Sequence, residues 1–62
     1  MRTFHFRIDL PGREPFEKSG SLEDEAEAVI YARQLLTDWP DCVAIDVLQT
    51  GALVERLRPP RP

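Results

Sequence analysis

Residues 3–10 alternate between apolar and polar side chains. The apolar members are Phe4, Phe6, Ile8 and Leu10. A period of two is typical of a strand with one buried face, so the pattern predicts a strand that turns these four side chains toward a core. A tight turn is expected next, because Pro11 fixes φ and Gly12 tolerates a positive φ.

A shorter second strand is predicted at residues 14–18, where Phe16 stands among charged residues. Pro15 has no N–H to donate to a ladder, so this strand belongs at a sheet edge. The polar, glycine-containing stretch 19–21 is then expected to break the chain before a helix.

An amphipathic helix is predicted to begin after Ser21 and to end at Trp39. Ser21 is a suitable N-cap, and Asp24 three residues later completes a capping box. At 100° per residue, Tyr31 falls on the polar face. The predicted apolar face comprises Leu22, Ala26, Val29, Ala32, Leu36 and Trp39. Pro40 disfavours helical geometry in the residue before it, which is why the helix should stop at Trp39.

Two stretches rich in β-branched residues, 42–48 and 52–57, predict a closing hairpin. In a three-residue loop, Gly51 would take the left-handed bulge position. A two-residue loop would instead set Asp46 opposite Glu55, which are like charges. The three-residue loop is therefore favoured. It pairs Val47 with Leu53 and Val43 with Leu57.

The order of elements is therefore β-β-α-β-β, an α+β domain over residues 1–57. One helix covers one face of a four-stranded antiparallel sheet, and residues 58–62 form a flexible tail rich in Pro and Arg. The other face of the sheet is left open. Its predicted contact residues are His5, Arg7, Ala44, Leu48, Val54 and Arg56. Because small domains without staples often gain stability by association, we expect a homodimer through this face or a sheet edge.

The net charge of −3 narrows the choice of partners. An acidic balance disfavours non-specific binding to nucleic acids and anionic membranes, which depends on clustered Lys and Arg. The single cysteine allows no internal disulfide. Residues 1–5 lack the apolar core of a signal peptide. A cytoplasmic location is therefore expected.

Residues 23–27 carry four carboxylates, and no other stretch of the sequence resembles a chemical site as closely. Glu23 and Glu27 lie four apart on one helical face, yet no histidine stands at a matching spacing for a metal. Negative charge in a first helical turn is favoured by the helix dipole, so a solvated helix start is the better interpretation. The lone histidine, His5, is expected on the open face, and Cys42 as a small buried apolar residue.

The order of the elements and the positions of the turns resemble those of a family of short bacterial proteins. This family is common in rhizobia and their relatives and is classed as a domain of unknown function. The resemblance rests on four features: an aromatic strand start at 4–6, an acidic segment ending in Gly20, an Ala-rich helix over 26–32, and Asp46 before a turn with Gly51. The chain departs from the pattern at Glu17, where Asp is usual, and in its compact 39–41 connection. The resemblance implies the β-β-α-β-β fold and no assigned activity or catalytic residue.

The sequence thus predicts a non-catalytic interaction domain that needs no cofactor. It is expected to bind a second copy of itself or another protein. The alternative is a regulator associated with nucleic acid, which would use Arg7, Arg56 and His5 on the same face. An enzyme is disfavoured, because one helix on one sheet leaves little room for a concave polar pocket.

Overall fold

A computed structural model describes residues 1–60 and confirms the order β-β-α-β-β. The elements are β1 (Arg2–Asp9), β2 (Phe16–Leu22), α1 (Glu25–Asp38), β3 (Ala44–Gln49) and β4 (Ala52–Leu57). The four strands form one antiparallel sheet in the order β2-β1-β3-β4. The predicted tail has no helix or strand over residues 58–60, and Arg61 and Pro62 lie outside the described residues.

The core lies between one face of the sheet and α1. Phe4, Phe6 and Ile8 of the central strand β1 are fully buried, as the alternation predicts. The remaining members of the core cluster are Leu10, Ala28, Ala32, Leu35, Cys42, Ile45 and Val47. The domain therefore has one buried sheet face, and β1 supplies its centre.

The second strand is longer than predicted and starts later. It spans Phe16–Leu22, so residues 19–21 continue the strand where a break was expected. Gly20 lies directly opposite Phe4 and has no positive φ, which makes it an ordinary strand residue.

The helix begins after Asp24, so the prediction of Ser21 as N-cap is wrong. The Asp24 carboxylate accepts a hydrogen bond from the Glu27 amide at 3.0 Å, and the Glu27 carboxylate accepts one from the Glu23 amide at 3.2 Å. Ser21 is held in β2, opposite Thr3. Strand pairing thus moves the helix start by three residues, to the next good capping residue.

The apolar face of the helix is also rotated relative to the predicted one. The buried helix residues are Ala28, Ala32 and Leu35, whereas Ala26 is exposed, contrary to prediction. Tyr31 is exposed, as expected for the polar face, yet its ring centroid lies 4.8 Å from that of the buried Phe6. The helix ends at Asp38 with Trp39 as C-cap, and the Trp39 ring packs edge-on against Phe16 at 5.2 Å.

The closing hairpin has a two-residue loop, so the predicted register is wrong. Thr50 and Gly51 have φ values of 51° and 80°, and positive φ at both central residues is the mark of a type I′ turn. Beyond the turn the observed pairs are Gln49 with Ala52 and Leu48 with Leu53, then Val47 with Glu55, Asp46 with Arg56 and Ile45 with Leu57.

A β-bulge explains how the hairpin avoids the expected charge repulsion. The register shifts between Val47 and Leu48, and Val54 is the extra residue on β4. The shift replaces Glu55 by Arg56 as the partner of Asp46. A two-residue loop followed by a bulge therefore satisfies the turn and the charges together.

The third strand begins at Ala44, two residues later than predicted. Cys42 precedes it and is buried in the core, which confirms the expectation for this residue. Val43 donates its amide to the carbonyl of Asp9 at 2.7 Å, and its side chain is 48% exposed. The predicted pairing of Val43 with Leu57 is therefore wrong, because Ile45 takes that place.

Candidate interaction surface

The sheet face opposite α1 is not covered by any helix or strand of residues 1–60. Side chains alternate along strands and partners lie on one face, so the register defines this surface, which we call the open face. Its members are Thr3, His5, Arg7 and Asp9 of β1; Glu17, Ser19 and Ser21 of β2; Ala44, Asp46 and Leu48 of β3; and Leu53 and Arg56 of β4.

Four of these residues form a line of alternating charge across the whole sheet. Glu17 pairs with Arg7, Arg7 with Asp46, and Asp46 with Arg56. We call this line, Glu17–Arg7–Asp46–Arg56, the charge row. With strands about 4.8 Å apart, it extends over roughly 14 Å and its formal charges sum to zero.

One pair in the charge row is a formed ion pair. The Arg56 guanidinium donates from Nε to Asp46 Oδ1 at 2.6 Å and from Nη2 to Oδ2 at 3.1 Å. The hydrogen bond to Asp46, and the negative charge behind it, raise the pKa of Arg56. Because the Asp46 side chain is only 17% exposed, this two-pronged contact fixes the orientation of the arginine on the face.

A second line, one row along the strands, carries the apolar part of the open face. His5 pairs with Ser19 on one side and with Leu48 on the other, and Leu48 pairs with Leu53. Leu48 is partly buried, and Leu53 is 56% exposed. We call Leu48 and Leu53 the leucine pair, and it is the apolar patch of this face.

The six predicted contact residues are not all brought together. His5, Arg7, Leu48 and Arg56 lie on the open face as predicted. Ala44 pairs with Asp9 there but is only 4% exposed, so it offers little contact area. The placement of Val54 on this face is wrong, because the bulge lets it pack against the core cluster.

Leu53 is the contact residue that the sequence pattern did not reveal. The predicted register places it in the core opposite Val47, whereas it lies on the open face opposite Leu48. The dipeptide Thr50-Gly51 was the available signal, since a two-residue type I′ loop fixes that register. The apparent clash of Asp46 with Glu55 outweighed this signal.

An open depression of about 380 Å³ lies on this surface. It is lined by His5, Arg7, Glu17, Leu48 and Gly51. The lining combines an imidazole, a guanidinium and a carboxylate around one apolar side chain. Such a mixture suits contact with another mixed surface better than enclosure of a small ligand, which needs a deeper and more apolar pocket.

The other candidates for chemistry have structural roles. The carboxylates of Asp24 and Glu27 accept backbone hydrogen bonds at the helix start. Burial raises the pKa of the Cys42 thiol, and the negative charges of Asp41 and Asp9 add to the effect. Such a thiol stays protonated and is a poor nucleophile. Within residues 1–60, no three His, Cys, Asp or Glu side chains are placed to hold a metal ion together.

Comparison with known proteins returned no matching family model, curated protein or solved structure. The resemblance to the rhizobial family therefore stays a prediction. Along the described part of the chain, α1 is too short and too polar to cross a membrane.

Proposed function

We propose that this chain is a small, non-catalytic interaction domain that self-associates through its open face. The observation that carries the proposal is the leucine pair, Leu48 and Leu53, which lies uncovered beside His5 and Arg7 on a sheet whose other face packs against α1. A thin-cored domain gains stability when such a face is covered by a second copy.

The face suits association better than either edge of the sheet. The β4 edge carries a bulge at Val54, which disturbs the ladder that a new strand would join. The β2 edge carries the charged side chains of Glu17 and Lys18 and is preceded by Pro15. Charges, prolines and bulges are the devices by which natural edge strands resist pairing.

The dimer is expected to be weak. Four strands about 4.8 Å apart, with six residues rising about 3.4 Å each, give a flat area of roughly 400 Å². Stable interfaces bury about 800 Å² on each partner. A contact of this size therefore supports a transient dimer with a dissociation constant on the order of 100 µM.

A nucleic-acid role has less support. Arg56 is bonded to Asp46, and Arg7 stands between two carboxylates in the charge row, so the open face has little cationic charge free to meet phosphate. Phe4 and Phe6 are fully buried and offer no ring on which a base could stack.

The non-catalytic part of the proposal rests on the flatness of the site. His5 and its neighbours Arg7 and Glu17 lie on an open surface that does not exclude water, and enzymes gain much of their electrostatic catalysis from water-excluded sites. The proposal places the domain in the cytoplasm, where a free thiol such as Cys42 stays reduced.

Light scattering from about 10 µM to about 1 mM, a range that brackets the expected dissociation constant, tests self-association with two matched variants. Leu53→Glu puts a charge on the leucine pair, and Ile30→Glu puts the same charge on the outer surface of α1. Leu53 and Ile30 are both 56% exposed. We expect the wild type and Ile30→Glu to rise from the 7.1 kDa monomer mass toward twice that value, and Leu53→Glu to stay monomeric. A wild type that remains at monomer mass throughout would refute the proposal.

A further inference from the structure

We infer that two copies meet through their open faces about a two-fold axis that runs parallel to the strands, between β1 and β3. This inference rests on the self-association proposed above and adds its geometry. Its basis is the charge row, in which the sign alternates from the β2 edge to the β4 edge as Glu17, Arg7, Asp46 and Arg56.

The alternation decides between the possible axes. An axis parallel to the strands reverses the order of strands in the second copy, so β2 lies over β4 and β1 lies over β3. Reversing a row of four alternating charges sets every charge over its opposite. Glu17 then faces Arg56 of the second copy, and Arg7 faces Asp46 of the second copy.

The other simple axis lies in the sheet plane and perpendicular to the strands. Placed at the charge row, it would set each strand over its own copy, so Glu17 would face Glu17 and Arg7 would face Arg7 across the contact. Like charges facing each other disfavour a contact strongly. Orthogonal packing would let the two rows cross at one point and leave most of the charges unmatched.

The neighbouring row is compatible with the same axis. Leu48 lies over His5 of the second copy, and Leu53 lies over Ser19 of the second copy. None of these four side chains carries a carboxylate, so the leucine pair is covered without burying an unmatched negative charge. Aligned sheets cross at about 30°, which displaces the ends of the row by roughly 4 Å. The long side chain of Glu17 spans that displacement toward Arg56, whose guanidinium is held by Asp46.

Charge exchange between two chains tests the axis directly. Glu17 and Arg56 stand on opposite edge strands, three strand spacings apart, so they do not meet within one chain. In the inferred dimer, Glu17→Lys meets Arg56 and Arg56→Glu meets Glu17, so each variant repels itself. We expect each to raise the dimer dissociation constant by about tenfold or more, and an equimolar mixture to form a heterodimer as tight as the wild type.

Control variants reverse charges on the same strands away from the row. Lys18→Glu on β2 and Glu55→Lys on β4 both lie outside the open face. We expect their dissociation constants to match the wild type at about 0.15 M salt, and their mixture to show no gain. Raising the salt concentration should weaken the wild-type dimer and the mixed dimer alike, because screening acts on the matched charges.

A cross-linking measurement covers the case in which Arg56→Glu, without its ion pair to Asp46, fails to fold. A short bis-maleimide should join Ser19→Cys chains to Leu53→Cys chains in a mixture, because the axis sets these positions over each other. Neither variant alone should cross-link as fast, since each position then lies near opposite ends of the row. Equal rates in the mixture and in the separate variants would overturn the axis.

The outcomes separate the geometry from the function. If Leu53→Glu abolishes the dimer while Glu17→Lys and Arg56→Glu leave it unchanged, the open face associates but the inferred axis is wrong. The axis is equally wrong if both charge variants weaken the dimer and their mixture does not restore it. A wild type that stays monomeric at the highest concentration overturns the proposed function and the axis together.

Discussion

Replacing Thr50 by Asn should stabilise the domain, because Thr50 is the only non-glycine residue among those described that has a positive φ. It stands at the first central position of the type I′ turn, at φ 51°. A β-branched residue is a poor occupant of that region, and Asn followed by Gly is the preferred pair for such a turn.

The expected gain is about 1 kcal/mol. The left-handed conformation costs an ordinary L-residue about 1–2 kcal/mol, and Asn is among the few residues that adopt it routinely. Thr50 recovers part of that cost through a hydrogen bond from Oγ1 to the carbonyl of Gln49 at 2.7 Å. A typical bond of this kind contributes about 0.5–1.5 kcal/mol, and solvent competes for this exposed one.

Urea unfolding followed by circular dichroism measures this change, at concentrations low enough to keep the chain monomeric. A gain of about 1 kcal/mol is large for a domain whose total stability is on the order of 3–9 kcal/mol. It corresponds to a rise in melting temperature of about 4–8 °C. Thr3→Asn is the matched control. Thr3 is an exposed residue within β1, where Asn has the lower strand propensity and should destabilise.

Opposite signs for Thr50→Asn and Thr3→Asn are the result that the turn geometry requires. A neutral or destabilising Thr50→Asn would mean that Thr50 does not hold a strained backbone conformation. The two-residue loop would then be in doubt, and the placement of Leu53 on the open face would be in doubt with it, because the loop length fixes the register.

Three further predictions concern the backbone, the helix start and the thiol. Gly51→Ala should lower the free energy of unfolding by about 1–2 kcal/mol, because residue 51 has a φ of 80°. Gly20→Ala should raise the free energy of unfolding by about 0.4–1 kcal/mol, because the new methyl would meet open space. Urea unfolding of both variants measures the contrast. Asp24→Ala should cost about 0.5–2 kcal/mol through loss of the cap, and an unchanged melting temperature would contradict that role. Burial raises the pKa of the Cys42 thiol in the folded chain. The stability that the thiol contributes is therefore fully present below the unfolded thiol pKa of about 8.5, and it is lost as pH rises through the higher folded pKa. Stability should therefore fall more steeply above about pH 9 in the wild type than in Cys42→Ala, and equal slopes would count against it.

The order of elements could be predicted because it depends on local periodicity. Phe4, Phe6 and Ile8 alternate without exception, and their burial is complete. The helix was predictable in existence but not in its start. Ser21 and Asp24 are both good capping residues three positions apart, and pairing of the 19–22 segment with β1 decides between them. That pairing is a tertiary contact that local sequence does not show.

The candidate surface could be predicted only in part, for a different physical reason. Residues of β1 depend on alternation alone, so His5 and Arg7 were placed correctly. The face on which each β4 residue lies depends on the register of the hairpin. No regular ladder reproduces the observed register, because it contains a bulge. A three-residue loop was favoured because it avoids setting Asp46 against Glu55, but a bulge removes the same clash after a shorter loop.

The bulge at Val54 ties the core, the open face and the sheet edge together. Leu53 and Arg56 are three residues apart, so in a regular strand they would point to opposite faces. The extra residue brings both to the open face, beside Leu48 and Asp46, while Val54 itself packs against the core cluster. The same irregularity disturbs the ladder at the β4 edge, where a further strand would otherwise add. One residue therefore shapes the surface proposed for association and weakens the competing edge, which supports the face-to-face contact that we propose.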